Sequence, residues 1–499
     1  MSKTPEHLSQ EGRLAFLFKD SVLYGGAAAL SKAFALITLP LLVRHFTVAE
    51  YGVLDFFMVL IVFLTILFVF GQDSAVARYY YEYEDTRDRQ QLISQSLAFQ
   101  MAGIVGFLPV LWFAADWITG FMVDAPDRTT LFRIVLLHLP FMVLISFSQG
   151  LLKWTFERTK FLIMSVGFTA GQAGLLLIAL YGYEVEVTGV LIASLINSVV
   201  FGILGLVLIK KWLVRPQNFK FLREMLPFAI PFGIICVVGA LSPTLERMLT
   251  DTLLGTEQLG LYAVATKIAL LIGLIVSAFQ TAWGPFSLSL YKQADAAQTY
   301  NLVLKLFAII TCVGALTLTL ISDFLITLLA TDKYATASVV VFPLVFGLVV
   351  QATSWITEIG ITLSKRSYLT IYSYTLMIIV TLSGIWLLAP IYGLLGVGLG
   401  VLAGHIVKAL LASWLAQRSY KMPWQYGQII SIFVITMGVG LVAIYAEAVF
   451  SGMSSKLVLI SGVLVISGTG WIFVLETEDR TTLKNILSGI LQKKLNAGG

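Results

Sequence analysis

The chain has 499 residues, 58% of them hydrophobic and only 12% charged, with a mean hydropathy of +0.88 and a formal net charge of +5. Soluble domains average roughly 45–50% apolar and 25% charged residues, so this composition excludes a soluble enzyme or a nucleic-acid-binding module. It specifies an integral membrane protein.

Residues 1–20 mix Lys3, Glu6, Glu11, Arg13, Lys19 and Asp20 without the charged start, short apolar core and small-residue site of a cleaved signal peptide, and none is expected. Apolar runs long enough to cross the roughly 30 Å hydrocarbon core as helices then recur to the end of the chain. They predict spans near 21–43, 53–72, 92–113, 131–152, 161–181, 187–208, 225–248, 259–287, 302–322, 338–358, 369–389, 393–415, 427–446 and 456–475. Placing the N-terminus inside puts Lys153, Arg158, Lys160, the group Lys210, Lys211, Arg215, Lys220 and Arg223, the pair Lys365 and Arg366, and Lys484, Lys493 and Lys494 on the cytoplasmic side. Roughly 25 basic residues then face inward and about 6 outward, a positive-inside bias that predicts both termini cytoplasmic. Trp112, Trp117, Trp154, Trp212, Trp414 and Trp424 fall near span ends, at headgroup level. Cys236 and Cys312 lie inside apolar spans and read as inert buried thiols.

Short signatures repeat along the chain. Gly52 in Glu50-Tyr51-Gly52-Val53-Leu54 matches Gly260 in Gln258-Leu259-Gly260-Leu261-Tyr262, Thr188-Gly189-Val190 matches Leu395-Gly396-Val397, and Arg158-Thr159-Lys160-Phe161 matches Lys365-Arg366-Ser367-Tyr368. All three pairs are offset by about 207 residues, and six spans per unit make the copies parallel. The expected fold is therefore an all-α membrane protein of about 14 helices. Two six-helix lobes, 1–215 and 216–421, are related by a pseudo-twofold axis along the membrane normal, and 422–499 adds a C-terminal helix pair and a tail. Gly167 with Gly171, and Gly400 with Gly404, have the spacing of small residues that pack helices within a lobe.

Substrate sites form at such repeat interfaces, and charges at membrane depth point to them, because each costs roughly 2.5–3.5 kcal/mol even on the gentler scales. Lys32 sits roughly 18 Å from Asp20 along span one, on a face with Gly25, Ala28 and Ala35. Lys267 lies about two turns into span eight, on a face expected to carry Ala263, Ser277 and Thr281. Arg247, near the outer end of span seven, has Asp251 in position for an i, i+4 ion pair and Glu246 beside it. The same span holds Pro227, Pro231 and Pro243, and a helix kinked at Pro243 could gate. Arg78 closes span two at the cytoplasmic mouth. Asp55, Asp73, Glu246, Asp251 and Glu358 all read as interfacial, near span ends. Lys32, Lys267, Arg247 and Arg78 then form a cationic path on the first two helices of each lobe, suited to a phosphate or pyrophosphate.

Leu39-Pro40-Leu41-Leu42-Val43-Arg44, Ala49-Glu50-Tyr51-Gly52 and Ala75-Val76-Ala77-Arg78-Tyr79 resemble the opening of Wzx-type polysaccharide-biosynthesis flippases. Those proteins form part of the multidrug, oligosaccharidyl-lipid and polysaccharide exporter superfamily. Ala282-Trp283-Gly284-Pro285-Phe286 and Tyr392-Gly393-Leu394-Leu395-Gly396-Val397 are similar to the family as well. The resemblance implies translocation of a polyprenyl-pyrophosphate-linked oligosaccharide from the cytoplasmic to the outer leaflet of the inner membrane by alternating access. It also implies contact with membrane lipids and with polysaccharide polymerase and export machinery. No cofactor or metal is expected, and coupling to sodium, protons or the membrane potential is left open. A cation or drug antiporter of the same superfamily is one rival, which the sign of the buried charge opposes. A membrane glycosyl polymerase or ligase is the other. His7, His45, His138 and His405 have no ligand-like spacing, and no paired-carboxylate motif occurs. His138 and His405 read as satisfied or packing residues.

Overall fold

The structure, a computed structural model, describes residues 37–182, 186–290, 296–364, 366, 368–450, 452–477 and 479–481. Among them there is no β-strand. Helix α1 is described over 37–45, so Lys32 lies outside the described residues. In order follow α2 (Val48–Val69), α3 (Gln72–Tyr80), α4 (Thr86–Phe113), α5 (Ala115–Thr119), α6 (Arg128–Trp154), α7 (Arg158–Gly182) and α8 (Val187–Ile209). The second half comprises α9 (Lys220–Leu254), α10 (Thr256–Ala269), α11 (Ile272–Leu290), α12 (Ala296–Leu320), α13 (Ser322–Ala330), α14 (Val341–Thr357), α15 (Ile359–Leu363), α16 (Leu369–Tyr392) and α17 (Leu394–Ser419). The final pair is α18 (Tyr426–Val449) and α19 (Gly452–Thr469).

Twelve helical stretches among the described residues are long and apolar enough to cross a membrane. The spans expected at 21–43 and 259–287 are not among the twelve. The first falls largely on residues outside the description, and the second is broken into α10 and α11 at Leu270 and Leu271. That break separates Lys267 on α10 from Ser277 on α11. Span two differs as well. Thr47 caps α2 in a reciprocal capping box with Glu50, starting the helix five residues before the expected boundary. Phe70 and Gly71 then take left-handed backbone, and the chain resumes as α3. Gly71 is required there twice over: its φ is +72°, and a Cβ would stand 2.6 Å from the Ala229 carbonyl oxygen of α9. Despite Pro227, Pro231 and Pro243, α9 runs as one helix of 35 residues.

The lobes meet along α2, α9 and α10. A Cβ on Gly52 would lie 2.6 Å from the Gly260 backbone nitrogen, and one on Gly260 would collide with the Val48 carbonyl. The two glycines that the offset of about 207 residues pairs therefore face each other across the lobe interface. Within the lobes, Gly171 lies against Asn197 and Phe201 of α8, and Gly400 and Gly404 lie against Gly384 and Thr381 of α16, the close packing their spacing predicts.

A second correspondence was not visible beforehand. The Gln91 amide of α4 donates to the Arg215 carbonyl at 3.0 Å and accepts from the Gln217 N–H at 2.9 Å. The Asn301 amide of α12 donates to the Pro423 carbonyl and accepts from the Gln425 N–H, both at 2.9 Å. The third long helix of each lobe thus uses one carboxamide to hold the connector that leaves that lobe, by the same pair of bonds. In the first lobe the strap is wider. Gln95 donates to the Gln217 carbonyl and accepts from the Leu222 N–H, Ser94 accepts from Val214, and Gln90 donates to the Lys211 carbonyl.

Candidate functional site

The close approach of Gly52 and Gly260 determines what lies below it. Three residues along α2, Asp55 is buried, its side chain 2% exposed. Its two oxygens receive two cations from the other lobe: Lys267 Nζ of α10 at 2.9 Å from Oδ1, and Arg247 Nε of α9 at 2.7 Å from Oδ2. A carboxylate cannot be dehydrated alone at this depth without a cost of several kcal/mol, and the two cations offset it. Arg247 also donates to the Pro243 carbonyl at 3.0 Å and stands 5.7 Å from the centre of the Tyr262 ring. Beside it, Glu246 accepts from Ser242 Oγ and from the Tyr262 hydroxyl, each at 2.7 Å.

Several expectations change here. Arg247 pairs with Asp55 and not with Asp251, whose carboxylate instead accepts the Asp124 N–H at 2.9 Å. Asp55 and Glu246, expected at the interface with water, are buried because the opposite lobe covers one and α10 the other. The cleft cations are not unpaired: two acids stand among Arg247 and Lys267. Pro243 serves as an acceptor for Arg247 inside an unbroken helix. Arg78 does not join the group; it lies on α3, its side chain 55% exposed, 3.7 Å from Glu82 and stacked 4.7 Å from the centre of the Phe228 ring.

Lys267 differs from its neighbours in exposure. Its side chain is 37% accessible, against 3% for Arg247. It borders two cavities. One, of about 550 Å³, lies toward the second lobe and includes Glu246, Arg247, Gln351 and His405 in its wall. The other, of about 300 Å³, lies in the first lobe, and its wall includes Asp55, His138, Gln172 and Ser194, the hydroxyls of Thr38, Tyr51 and Thr169, and apolar side chains. The ammonium of Lys267 is thus the accessible cation between two chambers, held by an acid from the opposite lobe.

Two further buried pairs escaped the sequence reading. Lys408, fully buried on α17, pairs with Glu358 and donates to Ser354 Oγ at 2.8 Å, so Glu358 is no interfacial acid. Lys305 of α12 pairs with Asp479 at 2.8 Å and Glu476 at 3.6 Å, fastening the segment after α19 to the second lobe. A lysine inside an otherwise apolar run was the available signal in both cases. His138 and His405 pack as expected, but each leaves one buried ring nitrogen, Nε2 and Nδ1 respectively, without a partner. Cys312 is buried and Cys236 partly so, and both are free thiols. Among the described residues no three His, Cys, Asp or Glu side chains gather as metal ligands.

Membership of a family is decided by the first half of the chain, which supplies Asp55 and contains α9 and α10: a protein-family model described as polysaccharide biosynthesis protein matches residues 17–291. The chain belongs to that family. An uncharacterized membrane protein of Haemophilus influenzae is 25% identical over 284 residues, covering 56% of this chain and 67% of that protein. The Lsg locus putative protein 1 of the same organism is 24% identical over the same shares. Among solved structures, the lipid II flippase MurJ in an inward closed conformation matches with a TM-score of 0.68 and 16% identity, over 91% of this chain and 100% of that one. An inward-facing multidrug resistance MATE family transporter of the MOP superfamily matches with a TM-score of 0.60 and 16% identity, over 80% and 94%. At such identity the likeness is one of fold, and it makes this family member a two-lobed, MurJ- and MATE-like membrane protein. Both of those structures are titled as a flippase or a transporter.

Proposed function

We propose that the chain is a flippase of the Wzx type, carrying a polyprenyl-pyrophosphate-linked oligosaccharide from the cytoplasmic to the outer leaflet of the inner membrane by alternating access. The observation that carries this reading is Lys267, a half-exposed ammonium between two chambers at the lobe interface. A pyrophosphate entering the larger chamber competes with Asp55 for Lys267. Once Lys267 turns to the phosphate, Asp55 keeps Arg247 alone, and the tie between the lobes weakens. Binding and lobe separation are coupled in this way by one carboxylate. The positive-inside distribution of lysine and arginine supports cytoplasmic termini. Arg78 would then attract the headgroup at the mouth, and Lys32 would add a further cation on span one. Polymerase and export machinery would receive the product.

An inside-negative potential assists outward movement of an anion by about 2.3 kcal/mol per charge per 100 mV, so potential alone can supply direction, with sodium or protons as other sources. A cation antiporter needs an acid free to meet its guest. Asp55 is engaged by two cations and Glu246 by two hydroxyls.

Reconstituted vesicles at controlled potential provide the test. Exposure of a labelled lipid-linked oligosaccharide should depend on the protein and fall at least tenfold in Lys267→Gln. Unchanged flipping in that variant, or drug efflux in place of flipping, overturns the reading.

A further inference from the structure

The strap that leaves the first lobe presents a surface that transport through the chambers does not use. From the end of α8 at Ile209 to the first turn of α9 it carries Lys210, Lys211, Arg215, Lys220 and Arg223, all five exposed, and no acid. Lys211 lies 2.7 Å from Glu157 and Lys220 4.0 Å from Glu224. Lys210, Arg215 and Arg223 have no acid within ion-pair distance among the described residues. The nearby start of α4 and the turn before it hold Glu82, Glu84, Asp85 and Asp88, with Arg87 and Arg89 among them. Glu82 is engaged by Arg78 at 3.7 Å, and Asp85 accepts the N–H groups of Arg87 and Asp88.

Backbone geometry is the second observation. Asn218 and Phe219 both take left-handed backbone, with φ of +48° and +52°, a conformation that a bulky residue such as phenylalanine rarely adopts. The α4 carboxamides hold the chain on either side of this pair, Gln217 through Gln91 and Gln95 and Leu222 through Gln95, so the residues between them turn outward. Phe219 is 47% exposed as a result, whereas Phe221 is buried. The strap joins two helices long and apolar enough to cross a membrane, which puts it at headgroup level, on the cytoplasmic side by the positive-inside distribution. A fixed, exposed phenylalanine among unpaired cations at that level matches a partner with an apolar layer beneath a layer of negative charge. We infer that the strap is a docking surface for anionic phospholipid, with Lys210, Arg215 and Arg223 attracting the phosphate groups and the Phe219 ring entering the acyl boundary. Because α4 clamps the backbone, the surface is formed before lipid arrives and little ordering is lost on binding. The matching connector of the second lobe, 420–425, has a single cation, Lys421, and Arg418 just before it lies over the Trp414 ring, 4.1 Å from its centre. Anionic lipid therefore anchors the first lobe. The inference is independent of the flippase reading, since it needs neither the chambers nor a substrate.

The test measures the melting temperature of the purified full chain in detergent against added phosphatidylglycerol, with phosphatidylcholine of the same acyl chains as the neutral comparison. Phosphatidylglycerol should raise it by about 5 °C or more beyond phosphatidylcholine. Lys210→Gln, Arg215→Gln and Arg223→Gln combined should raise the half-saturating phosphatidylglycerol concentration about tenfold or more, and Phe219→Ser about threefold. Arg366→Gln, Arg418→Gln and Lys421→Gln combined remove the same charge from exposed positions of the second lobe and should leave it within about twofold. Every substituted side chain is exposed, so the variants should melt with the wild type when no lipid is added. A measurement that needs no variant stands beside these: added sodium chloride should weaken the effect of phosphatidylglycerol on the wild type. Equal stabilisation by the two lipids overturns the inference, as does a salt-independent effect. An equal shift in the second-lobe triple variant overturns it in favour of general surface charge. Stabilisation of the same size by inorganic phosphate or by soluble poly-glutamate overturns it in favour of a small-anion site or an acidic protein partner.

Discussion

At the scale of single residues, Asp55 holds the site together, because it faces two cations while each cation faces only one such acid at close range. Asp55→Asn leaves Arg247 buried without its hydrogen-bonded counter-charge, and removing one partner of a buried pair costs about 3–5 kcal/mol. Lys267→Gln should cost no more than about 1 kcal/mol, since that side chain is partly exposed. Unfolding of the purified variants should therefore rank Asp55→Asn well below Lys267→Gln, with Asp55→Leu combined with Arg247→Met recovering most of the loss. Equal losses would show that the triad is not the tie described. A different residue contributes to acid sensitivity. Glu157, in the turn between α6 and α7, meets Lys160 Nζ at 2.5 Å and Lys211 Nζ at 2.7 Å. Burial raises its pKa, but the hydrogen bonds and charges of the two lysines outweigh that and lower it below the ordinary glutamate value. The sign follows: the depressed folded value gives stability that is complete above the unfolded pKa near about 4.3 and is lost as pH falls through the lower folded one. Glu157→Gln should remove this part of the acid-induced loss, seen as a flatter melting curve against pH below about 5.

Among the elements, α2 and α10 depend on two glycines that have no room for a methyl. Gly52→Ala would place a Cβ 2.6 Å from the Gly260 nitrogen and 2.8 Å from the Thr256 carbonyl oxygen, both backbone atoms that cannot rotate away. The expected cost is about 1–3 kcal/mol, with faster hydrogen exchange in the first turns of both helices. Unchanged exchange would contradict the contact. Much of this was legible beforehand. Hydropathy marks the spans, the offset of about 207 residues marks the repeat, and depth singles out Lys267 and Arg247. The partners were not legible, for a physical reason. Position along one helix measures distance from its own end, whereas Asp55 is buried by a helix about 200 residues away. Counted along α2 it is interfacial, and only the closure of the lobes above it makes it a core acid. The same logic hid Glu358, whose depth is set by Lys408 on α17. The breaks at Phe70 and Gly71 and at Leu270 were likewise invisible to an average over twenty apolar residues.

For the whole molecule, the carboxamides at Gln91 and Asn301 hold the connectors that leave the first and the second lobe. A carboxylate keeps the acceptor and loses the donor, so Gln91→Glu should free the Arg215 end of the connector and raise hydrogen exchange over 211–222, while Asn301→Asp should do the same over 422–425. No change in either segment would contradict the shared clamp. These bonds reach as far as Leu222, so the segment joining the lobes is hydrogen-bonded to α4 on both sides of residue 215. A first-lobe fragment should therefore extend at least to Leu222 to be self-sufficient. During synthesis, α4 must wait for about 120 residues of chain before its amides are satisfied. Each lobe is thus completed by the last residues to leave it, and a gene split just after that point should yield two chains able to reassemble, whereas one split before it should not.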